Sequence, residues 1–154
     1  MAVEIERKFL VKDDRWRSSN KGILYRQGYL SSDKNRVVRV RCAGSQAFLT
    51  VKGPNKGARR LEFEYEIPLN DANELLETLC IRPFIEKYRF KIEYANLLWE
   101  IDEFIGENAG LVLAEVELAE SVQKIELPDW IGAEVTGDAK YYNVSLVAKP
   151  FKHW

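Results

Sequence analysis

Histidine occurs only once in these 154 residues, as His153. That scarcity argues against a zinc site built on imidazoles and against a hydrolytic triad with an internal histidine base. Cysteine is nearly as rare. Cys42 and Cys80 lie far apart in apolar surroundings, a pattern that reads as two reduced core thiols of a cytoplasmic protein and not as a disulfide framework. No run of eighteen apolar residues occurs, and Glu4, Glu6, Arg7 and Lys8 interrupt the start, so neither a membrane span nor a signal peptide is expected. An excess of one charge is missing too: 23 Lys and Arg against 24 Asp and Glu leave a net charge of −1. Neither nucleic acid nor an anionic membrane is therefore an expected partner. The chemistry is left to carboxylates, basic side chains and phenols.

What is present is alternation. A chain that is 46% hydrophobic is sized for one domain, taken here as residues 1–154, with a substantial core. Period-two patterning predicts strands over 3–11, 23–30, 36–42, 47–51, 59–69, 85–93, 98–104 and 112–118, most of them antiparallel to their neighbours. Residues 13–22 read as a loop or short helix. Asn70 or Asp71 caps a predicted helix with Leu75, Leu76 and Leu79 on one side, ending near Cys80 before Pro83. A terminal helix is predicted over 138–148, capped by Thr136 or Asp138 and halted before Pro150.

Side chains two apart on a strand share a face, so each strand can be sorted into an apolar face and a second one. The second faces carry blocks of one sign. Strand one shows Glu4 and Glu6 before Lys8; others show Arg39 and Arg41, Lys52, or Lys87, Arg89 and Lys91. Arg60 precedes Glu62, Glu64 and Glu66, and two further strands add Glu100 with Asp102 and Glu115 with Glu117. Like charges about 7 Å apart on one face repel by about 2 kcal/mol at an effective dielectric of about 20. Ordinary surfaces intersperse their signs, so this segregation points to ligands. Carboxylate pairs suit hard cations such as Mg²⁺ or Mn²⁺, and Arg and Lys blocks suit phosphoryl oxygens. The fold that gathers eight charged faces is a mainly β (α+β) one: a closed eight-stranded antiparallel barrel with the charges lining a tunnel and flanking helices outside.

The motifs resemble those of CYTH domains, the triphosphate tunnel metalloenzymes. Glu4-Ile5-Glu6-Arg7-Lys8 fits the family's ExExK signature. The resemblance continues through Arg26-Gln27-Gly28-Tyr29-Leu30, Arg39-Val40-Arg41, Thr50-Val51-Lys52 and Arg60-Leu61-Glu62-Phe63-Glu64. Glu86-Lys87-Tyr88-Arg89, Glu100-Ile101-Asp102, Ala114-Glu115-Val116-Glu117 and Glu134-Val135-Thr136 follow in order, with Tyr141 and Asn143 near the end. The resemblance implies a tunnel that holds a linear triphosphate with Mg²⁺ or Mn²⁺ and hydrolyses it, and a homodimer as the family-level expectation.

Residue by residue, it implies Glu4, Glu6 and Glu117 as metal ligands, with Glu115 and Asp102 as neighbours that bind metal directly or through water. Lys8, Arg39, Arg41, Lys52, Lys87 and Arg89 would clamp the triphosphate, with Arg60 reaching it as well. Glu62 and Glu64 would orient basic residues or a second metal, and Lys140, on the terminal helix where relatives often carry arginine, would add a charge to the substrate clamp. Tyr29 beside Lys52 is the expected proton-accepting dyad, the ammonium lowering the phenol's pKa. The favoured substrate is inorganic tripolyphosphate, cleaved to pyrophosphate and phosphate. A class IV adenylate cyclase, which would need a nucleoside pocket, is one alternative. Thiamine triphosphatase, which would need an aromatic platform from Trp16, Trp130 or Trp154, is another. A polyphosphate-binding module without turnover is the non-enzymatic one.

Overall fold

The computed structural model describes residues 2–18 and 20–154; Ser19, within the loop expected over 13–22, lies outside the described residues. Eight strands close into a ring. In chain order they are β1 (Val3–Val11), β2 (Ile23–Ser31), β3 (Val37–Ala43), β4 (Gln46–Lys52), β5 (Arg59–Ile67), β6 (Ile81–Tyr94), β7 (Leu97–Phe104) and β8 (Val112–Glu117). They follow the order β5-β4-β3-β2-β6-β7-β8-β1, and a β5–β1 pairing closes the barrel. Every pairing is antiparallel. A ninth strand, β9 (Ile131–Glu134), is an addition to the expected set. It exists because β1 outruns β5: Val3 to Ile5 pair with β5, and the freed edge at Phe9 and Val11 takes β9 instead. The extra strand satisfies backbone groups that would otherwise be left open.

Two helices flank the ring. α1 (Leu69–Thr78) starts at Pro68 and not at the expected Asn70 or Asp71; the Ala72 N–H donates to the Pro68 carbonyl at 3.1 Å and no side chain caps the helix. Proline suits that entry because its φ is already set and it has no N–H to leave unpaired. Ala72 and Leu76, one turn apart, are buried with Val40 and Ala47 on the outside of β3 and β4. The approach is close at Gly28 of β2, where a Cβ would lie 2.9 Å from both the Cys80 Cβ and the Leu76 Cδ2. β6 begins four residues before the expected start, carrying Pro83 within it; a register shift between Gln27 and Tyr29 of β2 provides the irregular pairing that proline needs. The terminal helix is shorter than 138–148. Residues Ala139–Tyr141 form a 3-10 turn capped by the Asp138 carboxylate, and α2 (Asn143–Ala148) follows.

The apolar faces of β1, β7 and β8 point outward, where Trp99 packs between Phe9 and Trp130 under the loops on either side of the barrel. The inward rows change character along the barrel. Going one step further along each strand, Lys8 gives way to Leu10, Glu115 to Leu113, Asp102 to Phe104 and Lys87 to Ile85. These apolar side chains pack with Val144, Leu146 and Val147 of α2. One end of the interior is therefore apolar and capped by α2, leaving the charged rows to line the rest.

Candidate active site

The charged rows enclose a cavity of about 430 Å³, a size suited to a small ligand. Strand register decides which charges meet. Glu6 of β1 stands opposite Glu117 of β8, Lys8 opposite Glu115, and Glu115 opposite Glu100 of β7. On the other wall Arg39 of β3 lies between Tyr29 of β2 and Thr50 of β4. Every basic residue expected in the clamp lines this cavity except Lys140. Lys140 is exposed, its Nζ 4.0 Å from the centre of the Trp154 ring.

The cations are crowded. Burial, together with Arg39 and Arg89, pushes the Arg41 guanidinium down to about 9. Burial and then Arg39 push Lys52 down to about 8, although Glu4 and Glu6 oppose this. Lys87, 1% exposed, falls to about 7 through burial and the nearby Arg89 and Arg41, against the pull of Asp102. Arg60 is lowered by burial as well. Positive charge held this way calls for an anionic ligand.

Asp102 is fully buried behind the cations. Its Oδ1 accepts from Arg89 Nε at 2.7 Å, and its Oδ2 accepts from Arg89 Nη2 at 2.8 Å and Lys87 Nζ at 2.7 Å. Burial opposes its ionisation, but Arg89 and Lys87 hold the carboxyl below its ordinary range. Both oxygens are thus engaged by basic side chains, a geometry that aims Arg89 and Lys87. Glu62 lies 3.4 Å from Lys52 Nζ, and Glu64 lies 3.4 Å from Arg39 and accepts from the Thr50 hydroxyl at 3.0 Å.

The carboxylates crowd in their turn. Burial, then Glu115 and Glu4, push Glu6 well above the usual carboxyl range, and burial with Glu4 and Glu100 raises Glu117. Glu115 is held well below that range by Lys8 and Arg89 in spite of its burial. Glu4 Oε2 is buried without a hydrogen-bond partner. That oxygen lies 3.4 Å from Lys52 Nζ as an ion pair, and an oxygen-only donor set whose members repel one another fits a hard divalent cation. Among the described residues, no three of these groups already converge into a coordination shell.

The expected contact between Tyr29 and Lys52 is not made. The two sit on strands separated by β3, about 10 Å apart across the sheet; Tyr29 accepts a hydrogen bond from Gln27 Nε2 at 3.1 Å, and Lys52 pairs with Glu4 and Glu62. Burial pushes the Tyr29 phenol up, not down. The tryptophan platform is also missing at two of its three positions, since Trp16 and Trp130 are buried in the outer core at 4% and 8% exposure. Gln27, Thr50 and Asn143 were not singled out for a role, although the motifs contained all three. Their signal was a polar side chain on the inward face of a strand or at the head of α2.

A closed barrel that gathers cations on one wall and carboxylates on another has the makings of a polyanion-binding barrel. A CYTH domain profile matches residues 2–150, and the chain belongs to the CYTH domain family. It is similar to the inorganic triphosphatase of Acetivibrio thermocellus, with 53% identity over 154 residues covering 100% of this chain and 99% of that one. The inorganic triphosphatase of Nitrosomonas europaea is 34% identical over 151 residues, covering 93% and 95%. A crystal structure of an inorganic triphosphatase superposes with a TM-score of 0.66 at 32% identity, covering 94% of this chain and 97% of the other.

Proposed function

We infer that the protein is an inorganic triphosphatase that hydrolyses tripolyphosphate to pyrophosphate and phosphate inside the barrel. The observation that carries this reading is the convergence of Lys8, Arg39, Arg41, Lys52, Lys87 and Arg89 on one cavity whose opposite wall carries carboxylates. Lys8, Arg39, Arg41, Lys52, Lys87 and Arg89 hold the phosphoryl oxygens, and Arg60 extends the grip. Asp102 acts behind Lys87 and Arg89 and not as a metal ligand. Lys140, engaged with Trp154, stays outside the clamp.

Metal dependence is general among CYTH triphosphatases. Glu4, Glu6 and Glu117 would hold a divalent cation, Mg²⁺ or Mn²⁺, with Glu115 adjacent; its chemistry is neutralisation of charge on the phosphoryl oxygens. The chain's own residues fix the triphosphate in line for attack by water at a terminal phosphorus, and the bridging P–O bond breaks as pyrophosphate leaves. Lys52, lowered to about 8 and facing this cavity from β4, takes up the proton of the attacking water, while Tyr29, whose phenol burial pushes up, lines the cavity from β2 without accepting it.

No described helix is long and apolar enough to cross a membrane. The free thiols of Cys42 and Cys80 support a cytoplasmic setting. The exposed row Val51, Leu61, Phe63 and Tyr65 on the outside of β4 and β5 supports a homodimer, which light scattering would test.

The decisive assay follows phosphate and nucleotide release from tripolyphosphate, ATP and thiamine triphosphate with Mg²⁺ or Mn²⁺, then with chelator, in wild type and Glu117→Ala. Metal-dependent release that favours tripolyphosphate and disappears in the variant is expected. Cyclic AMP from ATP, or tight binding without turnover, would refute the reading.

A further inference from the structure

Asn143, the first residue of α2, is joined to the basic wall by a short chain of side-chain amides. Its Oδ1 accepts from Lys87 Nζ at 2.8 Å and from Gln27 Nε2 at 3.1 Å. Gln27 is fully buried; its Nε2 also donates to the Tyr29 hydroxyl at 3.1 Å, and its Oε1 accepts from Arg41 Nε at 2.8 Å.

Which way each amide faces is settled by chemistry. A guanidinium N–H can only donate, so Arg41 fixes the Gln27 oxygen toward itself and turns the Gln27 N–H groups toward Tyr29 and Asn143. An ammonium can only donate, so Lys87 likewise fixes the Asn143 oxygen. The Asn143 Nδ2 is therefore directed away from Lys87. Asn143 lines the main cavity, and its Nδ2 is neither sealed from solvent nor paired with any described residue. Two N–H donors are thus left free at a residue that lines the cavity.

Resting on the triphosphatase reading, we propose that Asn143 is a substrate-binding residue that donates from Nδ2 to a phosphoryl oxygen while its Oδ1 holds Lys87 and, through Gln27, Arg41 and Tyr29 in position. The phosphate it meets is a terminal one. Beyond Asn143 the interior is filled by Leu10, Ile85, Phe104 and the apolar side of α2. An ester substituent on the substrate must therefore leave by the other end.

Two substitutions separate direct donation from a purely structural role. Asn143→Ala removes both functions, and Asn143→Asp keeps an acceptor for Lys87 and Gln27 while replacing the donors by a repelling oxygen. Tripolyphosphate affinity is measured by calorimetry in chelator, KM and kcat with Mn²⁺, and folding by the melting temperature. A donor to a charged oxygen is worth about ten- to hundredfold in affinity. Asn143→Ala should weaken tripolyphosphate binding by about that factor, and Asn143→Asp more than Asn143→Ala, with the melting temperature of Asn143→Asp close to wild type. Asn143→Asp retains the internal bonds and so carries the test if Asn143→Ala does not fold. An active wild type with Asn143→Asp binding within about twofold of it would overturn the proposal alone. A wild type unable to hydrolyse tripolyphosphate would overturn the activity and this proposal together.

Discussion

Removing the charge of Asp102 should unfold the empty protein more easily and should matter much less once the anion is bound. In Asp102→Asn the shape is kept, but three charge-assisted bonds to Arg89 and Lys87 lose their anion at a site that is 0% exposed. Breaking a buried pair by removing one partner costs about 3–5 kcal/mol. With an unfolding entropy of about 2.1 cal/mol/K per residue over 154 residues, that lowers the melting temperature by roughly 9–15 °C. Lys87 limits its own share of this loss. It is already pushed down to about 7 and sheds its proton in the variant, so the gap should be wider at pH 6 than at pH 8. Differential scanning calorimetry in chelator, with and without tripolyphosphate, gives both numbers without turnover. The polyanion takes over the role of counter-charge, and the gap between variant and wild type should fall by half or more. A gap of less than about 1 kcal/mol without ligand would show that Asp102 is not neutralising the wall. An undiminished gap with ligand would show that the anion binds elsewhere.

Glu6→Gln should leave the melting temperature in chelator unchanged or raised, because Glu6 is pushed well above its usual range by burial, Glu115 and Glu4, yet it should lose the stabilisation conferred by Mn²⁺. For wild type that stabilisation is about 2.7 kcal/mol at a hundredfold excess over Kd; a large loss of stability in the chelated variant would sink the idea that these carboxylates crowd. Tripolyphosphate binding should take up protons between about pH 7 and 9, because the anion raises the depressed Lys87 and Arg41, and affinity should fall as pH rises through that window. Calorimetry in buffers of different ionisation enthalpy checks this, and zero proton uptake would contradict it. Gly28→Ala should destabilise by about 1–3 kcal/mol through overpacking, since its Cβ would meet Leu76 and Cys80 at 2.9 Å; chemical denaturation measures it, and a neutral result would mean that α1 can shift outward.

The ring of strands was legible because each strand announces its two faces by alternation, and a chain with eight such runs has few ways to bury eight apolar faces. β9 was not legible for a physical reason. Ile131–Glu134 is four residues long and includes Gly132, whose Cβ would sit 3.2 Å from the Leu10 carbonyl, so neither length nor propensity marks it. What recruits it is the stagger of β1 past β5, a property of the closed barrel and not of any local segment. The continuation of β6 through Pro83 departs from the pattern on similar grounds, because pairing with β2 and not local propensity sets it, whereas the start of α1 at Pro68 follows from the fixed φ and missing N–H of proline.

The site divides along the same line. Alternation shows which charges face inward, but register across strands decides which of them meet. Glu6 opposite Glu117 and Lys8 opposite Glu115 could not be read from either strand alone. Asp102 shares a face with Glu100 and so looked like a metal neighbour, yet one step of depth puts both its oxygens on Arg89 and Lys87. Tyr29 and Lys52 share a cavity but are kept apart by β3, and Lys140 faces Trp154 and not the substrate. Cross-strand partners, and not the face of a single strand, therefore separate these side chains. Near the α2 end the lining turns apolar, and the charges just before that boundary, Lys87 and Asp102, are the most deeply buried of all. A polyanion drawn down the barrel would meet its most deeply buried cation there, beside Asn143, and it is at that depth that electrostatic interaction is least screened.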